Sequence, residues 1–495
     1  MGRSRAGALS LLLRFLLGLG LVVAVSCLPA AQAQRTWVVA TDPTYAPFEM
    51  VRGAAGALEG FDVDLIRAVA KDQGRTVRFV TLPFDGLIPA LRAGRVDLAI
   101  SAMTITAQRA ESVAFSRPYF AAGLGVVVQR DGPTIRSLDA LAGRQVAVQI
   151  GSTGALAVGR IPGVQVSSYD SAPLALQALL NGQVEAYVND LPATLYAIRQ
   201  RQLDNVRLSS EPLTADYYGI ALPLGSPLRD SVDQGLSALI RDGRLAQLHR
   251  RWFGRDPAPL PAVAPQLQSR PSAPGLDPLL LVRNLSSGAA VTLALTCSAF
   301  LLGSVCAALL TLALMAGGPW QRRGARVVVN ALRGTPLLVQ LFLVYFGLPA
   351  LCQSLGFQLR LPPFLAAVAT LSCNLSAYMA ETLRAGIASI DRGQWQAADA
   401  LGLGPWQRLR HVILPQALQR VLPPLGNEFI TLIKDTSLAA VIGFDELFRQ
   451  GQLIVATTYR AFEVYAAVGL TYLLLTAVAA QLLRELERRL TTWEP

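Results

Sequence analysis

Beyond residue 280 the chain repeatedly carries apolar runs of a length that few folds can use. They cover about 289–315, 336–352, 363–382, 420–442 and 464–483. A helix needs roughly 20 such residues to cross a bilayer core of about 30 Å, so this half reads as an all-α bundle of about five membrane-spanning helices. The fourth run is interrupted by Glu428, Lys434 and Asp435, which are costly against lipid and imply a buried or water-lined face. Residues 34–256 have a different texture. Strand-like stretches (36–41, 77–81, 123–129, 145–150) alternate with helix-like ones such as 61–71, the pattern of an α/β domain. Between the halves, residues 257–280 carry prolines at 257, 259, 261, 265, 271, 274 and 278, the composition of a stiffened, solvated linker.

Composition agrees with this division. Lys+Arg 44 against Asp+Glu 33 leaves +11, yet only 16% of residues are charged and 52% are apolar, whereas a soluble protein carries about 25% charged residues. The arginines flank apolar runs instead of clustering with stacking aromatics, which excludes a nucleic-acid partner and leaves membrane lipid as the surroundings of the second half. Residues 1–33 combine Arg3, Arg5 and Arg14 with an apolar core and Ala31-Gln32-Ala33, a secretory signal peptide with cleavage expected after Ala33. Lipidation of Cys27 and an uncleaved anchor are the alternatives. The five cysteines form no CxxC pair, and His249 and His411 are too far apart for a local metal motif; both histidines read as surface residues, and no metal or cofactor is expected.

Orientation follows from loop arginines. Arg322, Arg323, Arg326 and Arg333 follow the first run, and Arg384, Arg392, Arg408, Arg410 and Arg420 the third. The positive-inside rule makes both loops cytoplasmic. With an odd number of spans and a cytoplasmic tail, the α/β half then lies outside, as a signal peptide requires.

Within the α/β half, Asp42-Pro43-Thr44-Tyr45-Ala46-Pro47-Phe48-Glu49, Gly60-Phe61-Asp62-Val63-Asp64, Phe84-Asp85-Gly86, Met103-Thr104-Ile105-Thr106 with Arg109, Gln149-Ile150-Gly151-Ser152-Thr153-Gly154, Val188-Asn189-Asp190 and Trp252-Phe253-Gly254 together resemble the polar amino-acid-binding proteins of ABC importers. The resemblance implies two α/β lobes of the type II periplasmic binding protein, closing on ligand. It implies that Arg109 clamps the carboxylate, for which a planar guanidinium suits both oxygens. Ser152 and Thr153 add donors to the same group, Asp190 takes the ammonium, and Ser101, Ala102 and Thr104 complete the polar ring. Tyr45 and Phe84 form aromatic walls, and Asp42 meets the end of the ligand side chain. Basic amino acids and glutamine both satisfy these positions, because Gln149 stands where some glutamine binders have lysine.

Residues 281–490 resemble the permease subunits of the same importers. Gln396-Ala397-Ala398, Gly402 and Val412-Ile413-Leu414-Pro415 reproduce the spacing of the permease loop EAA-x3-G-x9-I-x-L-P, with Gln396 replacing glutamate and Val412 isoleucine. In that family this loop (396–415) docks on an ATPase subunit. Glu381 and Glu428, and more weakly Asn374, are further candidates for the translocation path or for structural pairing. The chain has only Lys71, after Ala70, and Lys434, after Ile433, so it lacks the G-x-x-x-x-G-K-[ST] phosphate loop and ATP would be bound by a partner. The resemblance thus implies the fused binding and permease subunit of an amino-acid uptake transporter in the inner membrane, paired as a permease homodimer. An amino-acid-gated channel, a tethered sensor and an enzyme are the rival classes. No TVGYG-like filter, output domain or nucleophile–base pair supports them.

Overall fold

The computed structural model describes residues 36–53, 56–268 and 277–491. The signal peptide, Cys27 and linker residues 269–276 lie outside the described residues. The chain packs as two compact units that do not follow sequence order: the residues through Ala122 with Asp216–Pro271, and Gly123–Ala215 with Ser272–Pro495. The chain therefore passes between units at 122/123 and 215/216, and the second lobe of the α/β half belongs to the same unit as the membrane helices.

The first unit is built on a five-stranded sheet in the order Thr76–Thr81, Thr36–Thr41, Leu98–Ala99, Ala221–Leu222, Ala114–Phe115. Thr36–Thr41 pairs in parallel with Thr76–Thr81 over six residues, and the 221–222 strand runs antiparallel. Parallel neighbours require a crossover, here the helix Phe61–Asp72. It buries Phe61, Val63, Leu65, Ile66 and Val69 and begins with Asp62 and Asp64, acids that suit a helix N-terminus. Gly60 precedes it at φ 146, and a Cβ there would stand 2.0 Å from the Phe48 carbonyl oxygen, so only glycine fits.

Behind the sheet Phe48, Phe61, Phe120, Tyr218 and Phe253 form an aromatic cluster. His249 belongs to it, stacked on Phe120 at 5.1 Å, with Nδ1 2.7 Å from the Arg255 carbonyl oxygen. The expectation of a surface histidine is thus corrected: His249 is buried, and burial lowers its pKa. His411 is exposed. The start of the linker also differs from a purely solvated spacer. Ala264 is buried, and the turn Pro265–Gln268 packs on the short helix Ala107–Ala110 that carries Arg109.

In the second unit, the lobe sheet runs Gln165–Tyr169, Gln145–Gln149, Ala186–Asp190, Leu124–Gln129, Val206–Leu208. Val126, Val128, Val146, Val148 and Val188 fill its core.

Among the described residues four helices are long and apolar enough to cross a membrane: Pro278–Met315, Leu337–Ser354, Pro363–Ala388 and Ala461–Arg489. Hydroxyls of Thr296, Thr311 and Thr370 donate to carbonyls one turn back, at 2.7–2.8 Å, which satisfies them inside an apolar bundle. The fourth expected span, 420–442, is instead a helix, Leu414–Asp435, followed by a 3-10 segment over Thr436–Ile442. Prolines, amides and charges interrupt its apolar run, and it packs on Pro363–Ala388 and Ala461–Thr491.

Candidate functional site

Arg109 is 1% exposed. Thr106 caps the short helix before it by accepting the Arg109 amide at 3.1 Å. Its Nη1 donates to the Thr104 carbonyl at 2.7 Å, and its guanidinium carbon lies 5.2 Å from the centre of the Phe84 ring. Phe84 opens the helix Phe84–Arg92, so the guanidinium is fixed on one side by backbone and on one face by an aromatic ring. Thr104 is held by a bridge to Tyr218. Arg109, Thr104 and Phe84 are thus one cluster. Tyr45 lies on a different local contact, stacked on Phe48 at 6.1 Å.

A second cluster joins Asp42, Ser101 and Ala102. The Asp42 carboxylate accepts from the Thr44 amide and hydroxyl at 3.1 and 2.7 Å, and the Asp42 amide donates to Ser101 Oγ at 3.1 Å. Ser101 in turn donates to Glu49 Oε1 at 2.7 Å. Ala102 adopts φ 44 and its amide donates to Asp62 Oδ2 at 2.7 Å. The Ala102 N–H is thus committed inward to Asp62.

Glu49 and Asp62 were not anticipated as site residues, although Asp62 interrupts the apolar run of its helix and both lie in motifs quoted above. They are fully buried, with Ser101 donating to Glu49 and Tyr119 donating to Asp62 at 2.8 Å. Burial pushes the Asp62 carboxyl up to about 6, and burial together with the Asp62 charge raises Glu49 well above the usual carboxylate range. Because these pKa values are raised on folding, the native state binds more protons than the unfolded chain above pH 3.8. Stability must then fall as pH rises from about 4 through 6 on account of Asp62, by up to about 1.4 kcal/mol per pH unit, and Glu49, raised in the same direction, adds to the fall. A Glu49→Gln variant, neutral at every pH, is expected to show a shallower fall in melting temperature across that window; an unchanged slope would contradict the contribution of Glu49.

The remaining expected ligand residues lie in the second unit. Ser152 caps the helix Thr153–Val158 by accepting from the Ala155 amide at 3.1 Å. Asp190 ends its strand, 7% exposed, with its carbonyl accepting from the Thr194 hydroxyl at 2.8 Å. Gln149 is buried at the end of the neighbouring strand.

In the membrane half, Gln396, Ala397 and Ala398 lie on the helix Arg392–Ala400, with Gln396 and Ala397 exposed and Ala398 buried. Gly402 turns the chain at φ 74. Helix resumes at Pro405, passes through a π-helical turn over Leu409–Ile413, and continues from Leu414 with Pro415 in its first turn. Leu401 and Trp406, which flank the turn, are 78% and 66% exposed.

A cavity of about 610 Å³ opens among the helices, lined by Arg333, Asn374, Tyr378, Glu428, Thr431 and Asp435 with apolar neighbours. Glu428 and Asn374 line it. Glu381 does not: it pairs with Arg384, whose Nε donates to it at 3.1 Å, so the structural reading holds for Glu381.

Residues 37–255 match the family described as bacterial extracellular solute-binding proteins, family 3, and residues 283–492 match the binding-protein-dependent transport system inner membrane component. The glutamine transport system permease protein GlnP of Escherichia coli (strain K12) is 45% identical over 206 residues, 42% of this chain and 92% of that protein. The L-cystine transport system permease protein TcyL of Bacillus subtilis (strain 168) is 37% identical over 210 residues, 42% of this chain and 88% of that protein. Among solved structures, an ancestral arginine-binding protein bound to arginine is 38% identical, covering 44% of this chain and 99% of that one at a TM-score of 0.43. The chain therefore belongs to the binding-protein-dependent transport system inner membrane components, with a family 3 extracellular solute-binding domain fused ahead of its membrane domain, and is a transport subunit of an amino-acid ABC transporter.

Proposed function

We propose that this chain captures a polar amino acid outside the cell membrane and passes it inward through its own membrane half, driven by a separate ATPase subunit seated on residues 396–415. The observation that carries this reading is the presence, in one chain, of a buried and aromatic-backed arginine in a solute-binding lobe and an exposed coupling loop on a permease bundle. Arg109 receives the α-carboxylate, with Ser152 and Thr153 adding donors, and Asp190 receives the ammonium. Tyr45 and Phe84 wall the side chain, and Asp42 meets its polar end. An acceptor at Asp42 suits a basic amino acid or glutamine, and glutamine is the substrate named for the 45%-identical permease.

The outward placement rests on the arginine bias. Lobe residues Asn181 and Gln183 meet Phe346 and Tyr345 of the bundle. A permease needs two membrane halves and this chain supplies one, so it works as a homodimer in membrane lipid.

The cavity bearing Glu428 and Asn374 is the natural waypoint for a zwitterion in the membrane. Uptake of labelled amino acid into proteoliposomes holding the chain and its ATPase tests the reading. Glu428→Gln is expected to lower that uptake about tenfold, the cost of roughly 1.4 kcal/mol in a barrier, while leaving amino-acid affinity unchanged. Uptake without ATP, or none with it, would contradict the proposal.

A further inference from the structure

The lobe formed by Gly123–Ala215 and the membrane helices share one apolar core, in which Tyr169, Leu179 and Tyr187 of the lobe join Tyr345, Phe346 and Leu371 of the bundle. Polar pairs surround it. The hydroxyls of Tyr169 and Tyr345 lie 2.9 Å apart. Gln183 Nε2 donates to the Tyr345 carbonyl at 2.6 Å and Asn181 Nδ2 to the Phe346 carbonyl at 3.1 Å. The first of these carbonyls has a local cause: Pro349 stands four residues on and offers no N–H, so the helix leaves the Tyr345 oxygen for an outside donor.

The only fully buried guanidinium of the described residues besides Arg109 sits at this seam. Arg449 Nη1 donates to Asp170 at 2.6 Å and to Gln452 at 2.9 Å, and Nη2 donates to the Ser168 carbonyl. Arg449 is presented rigidly. Glu446 caps its helix, Leu447–Thr458, by accepting the Phe448 and Arg449 amides at 2.8 and 2.7 Å, and Tyr472 donates to the same Glu446 at 2.8 Å. Beside it Gly443, at φ 75, lets the backbones close: a Cβ there would stand 2.9 Å from the Ser168 oxygen. Asp170 and Ser168 come from the lobe, and Arg449 and Gly443 from the chain between the last two long helices. A lone arginine desolvated to this degree is costly unless its partners are in place, and the partners here come from the lobe.

We propose that the second lobe docks in cis, each chain's lobe on its own membrane half, with Arg449 as the positioning residue that latches Asp170 and Ser168. This rests on the transporter reading above, and it adds which lobe stays seated, on which copy, and through which side chain. The linker then tethers the lobe within one chain, where the local concentration is about millimolar, and the latch fixes its register over the bundle.

Crosslinking the full-length protein in membranes tests this without requiring transport. In a background with all five cysteines replaced by serine, Gln183→Cys and Arg360→Cys flank the seam; the neighbouring Gly182 would place a Cβ 3.7 Å from Arg360 Nε. A protease site inserted within 269–276 shows whether the two halves remain covalently joined after a short bismaleimide. The expected result is joined halves when both cysteines share a chain, and no interchain product when two differently tagged chains carry one cysteine each. Arg449→Met is expected to lower the yield at least about tenfold, the size of effect a broken buried ion pair has on an equilibrium, with Asp170→Asn acting in the same direction and Arg449→Lys partly restoring it. Amino-acid affinity of these variants, unchanged within about twofold, shows that they are folded. An interchain product from the split pair overturns docking in cis, failure of both arrangements overturns docking, and an undiminished yield in Arg449→Met overturns the latch. Intact cis crosslinking in a protein that transports nothing would count against the transporter reading alone.

Discussion

Replacing Ala397 with arginine is expected to abolish ATP-driven uptake while leaving amino-acid binding intact. Ala397 faces outward from the helix Arg392–Ala400, and Ala398 faces the bundle. On the proposed reading this short helix enters a groove on the ATPase subunit, where small residues allow close approach. Arginine adds bulk and a charge at the centre of that contact, where single side chains are worth 2 kcal/mol or more, roughly 30-fold in affinity. Leu401 and Trp406 beside Gly402 are exposed and would form the apolar margin of that proposed surface. The measurement is ATP hydrolysis by the reconstituted complex with and without amino acid. In the variant the stimulation by ligand should vanish and the partner should co-purify poorly; undiminished, ligand-stimulated hydrolysis would show that these residues do not couple the two subunits.

The second large effect is at Arg109. Its guanidinium is buried, anchored to the Thr104 carbonyl and backed by Phe84, so its position is set before ligand arrives and little ordering cost remains. Truncating one member of a buried, hydrogen-bonded charge pair costs about 2–5 kcal/mol. Arg109→Ala should therefore weaken amino-acid binding at least about 100-fold, or roughly 2.7 kcal/mol. Arg109→Lys keeps the charge but loses the planar fork, and should fall between the two. Melting temperature provides the control, because Arg109 also satisfies the Thr104 carbonyl: a folded alanine variant with unaltered affinity would remove Arg109 from the site.

Much of this architecture was legible in the sequence because it rests on periodicity and length. The strand at Thr36–Thr41, the helix from Phe61 and the membrane helices stand where the apolar patterns put them. The 420–442 run is instructive in the other direction. Its window contained charged residues, and in the fold it became a helix plus a 3-10 segment packed against neighbours, since tertiary contacts can house charges that lipid does not. What escaped the sequence depends on distant partners. The direction of the Ala102 amide is set by Asp62, 40 residues away, and His249 is buried because Phe61 and Phe120 close around it. Arg449 meets Asp170 across 279 residues, a separation at which no local pattern operates.

The most direct test of the central claim is titration calorimetry of the full-length chain in lipid nanodiscs against each common amino acid, with Arg109→Ala alongside. The account predicts binding near the micromolar range, about −8.2 kcal/mol, by one or more of arginine, lysine, histidine and glutamine, and its loss in the variant. A folded chain that binds none of the amino acids, or binds one equally well without Arg109, would contradict it.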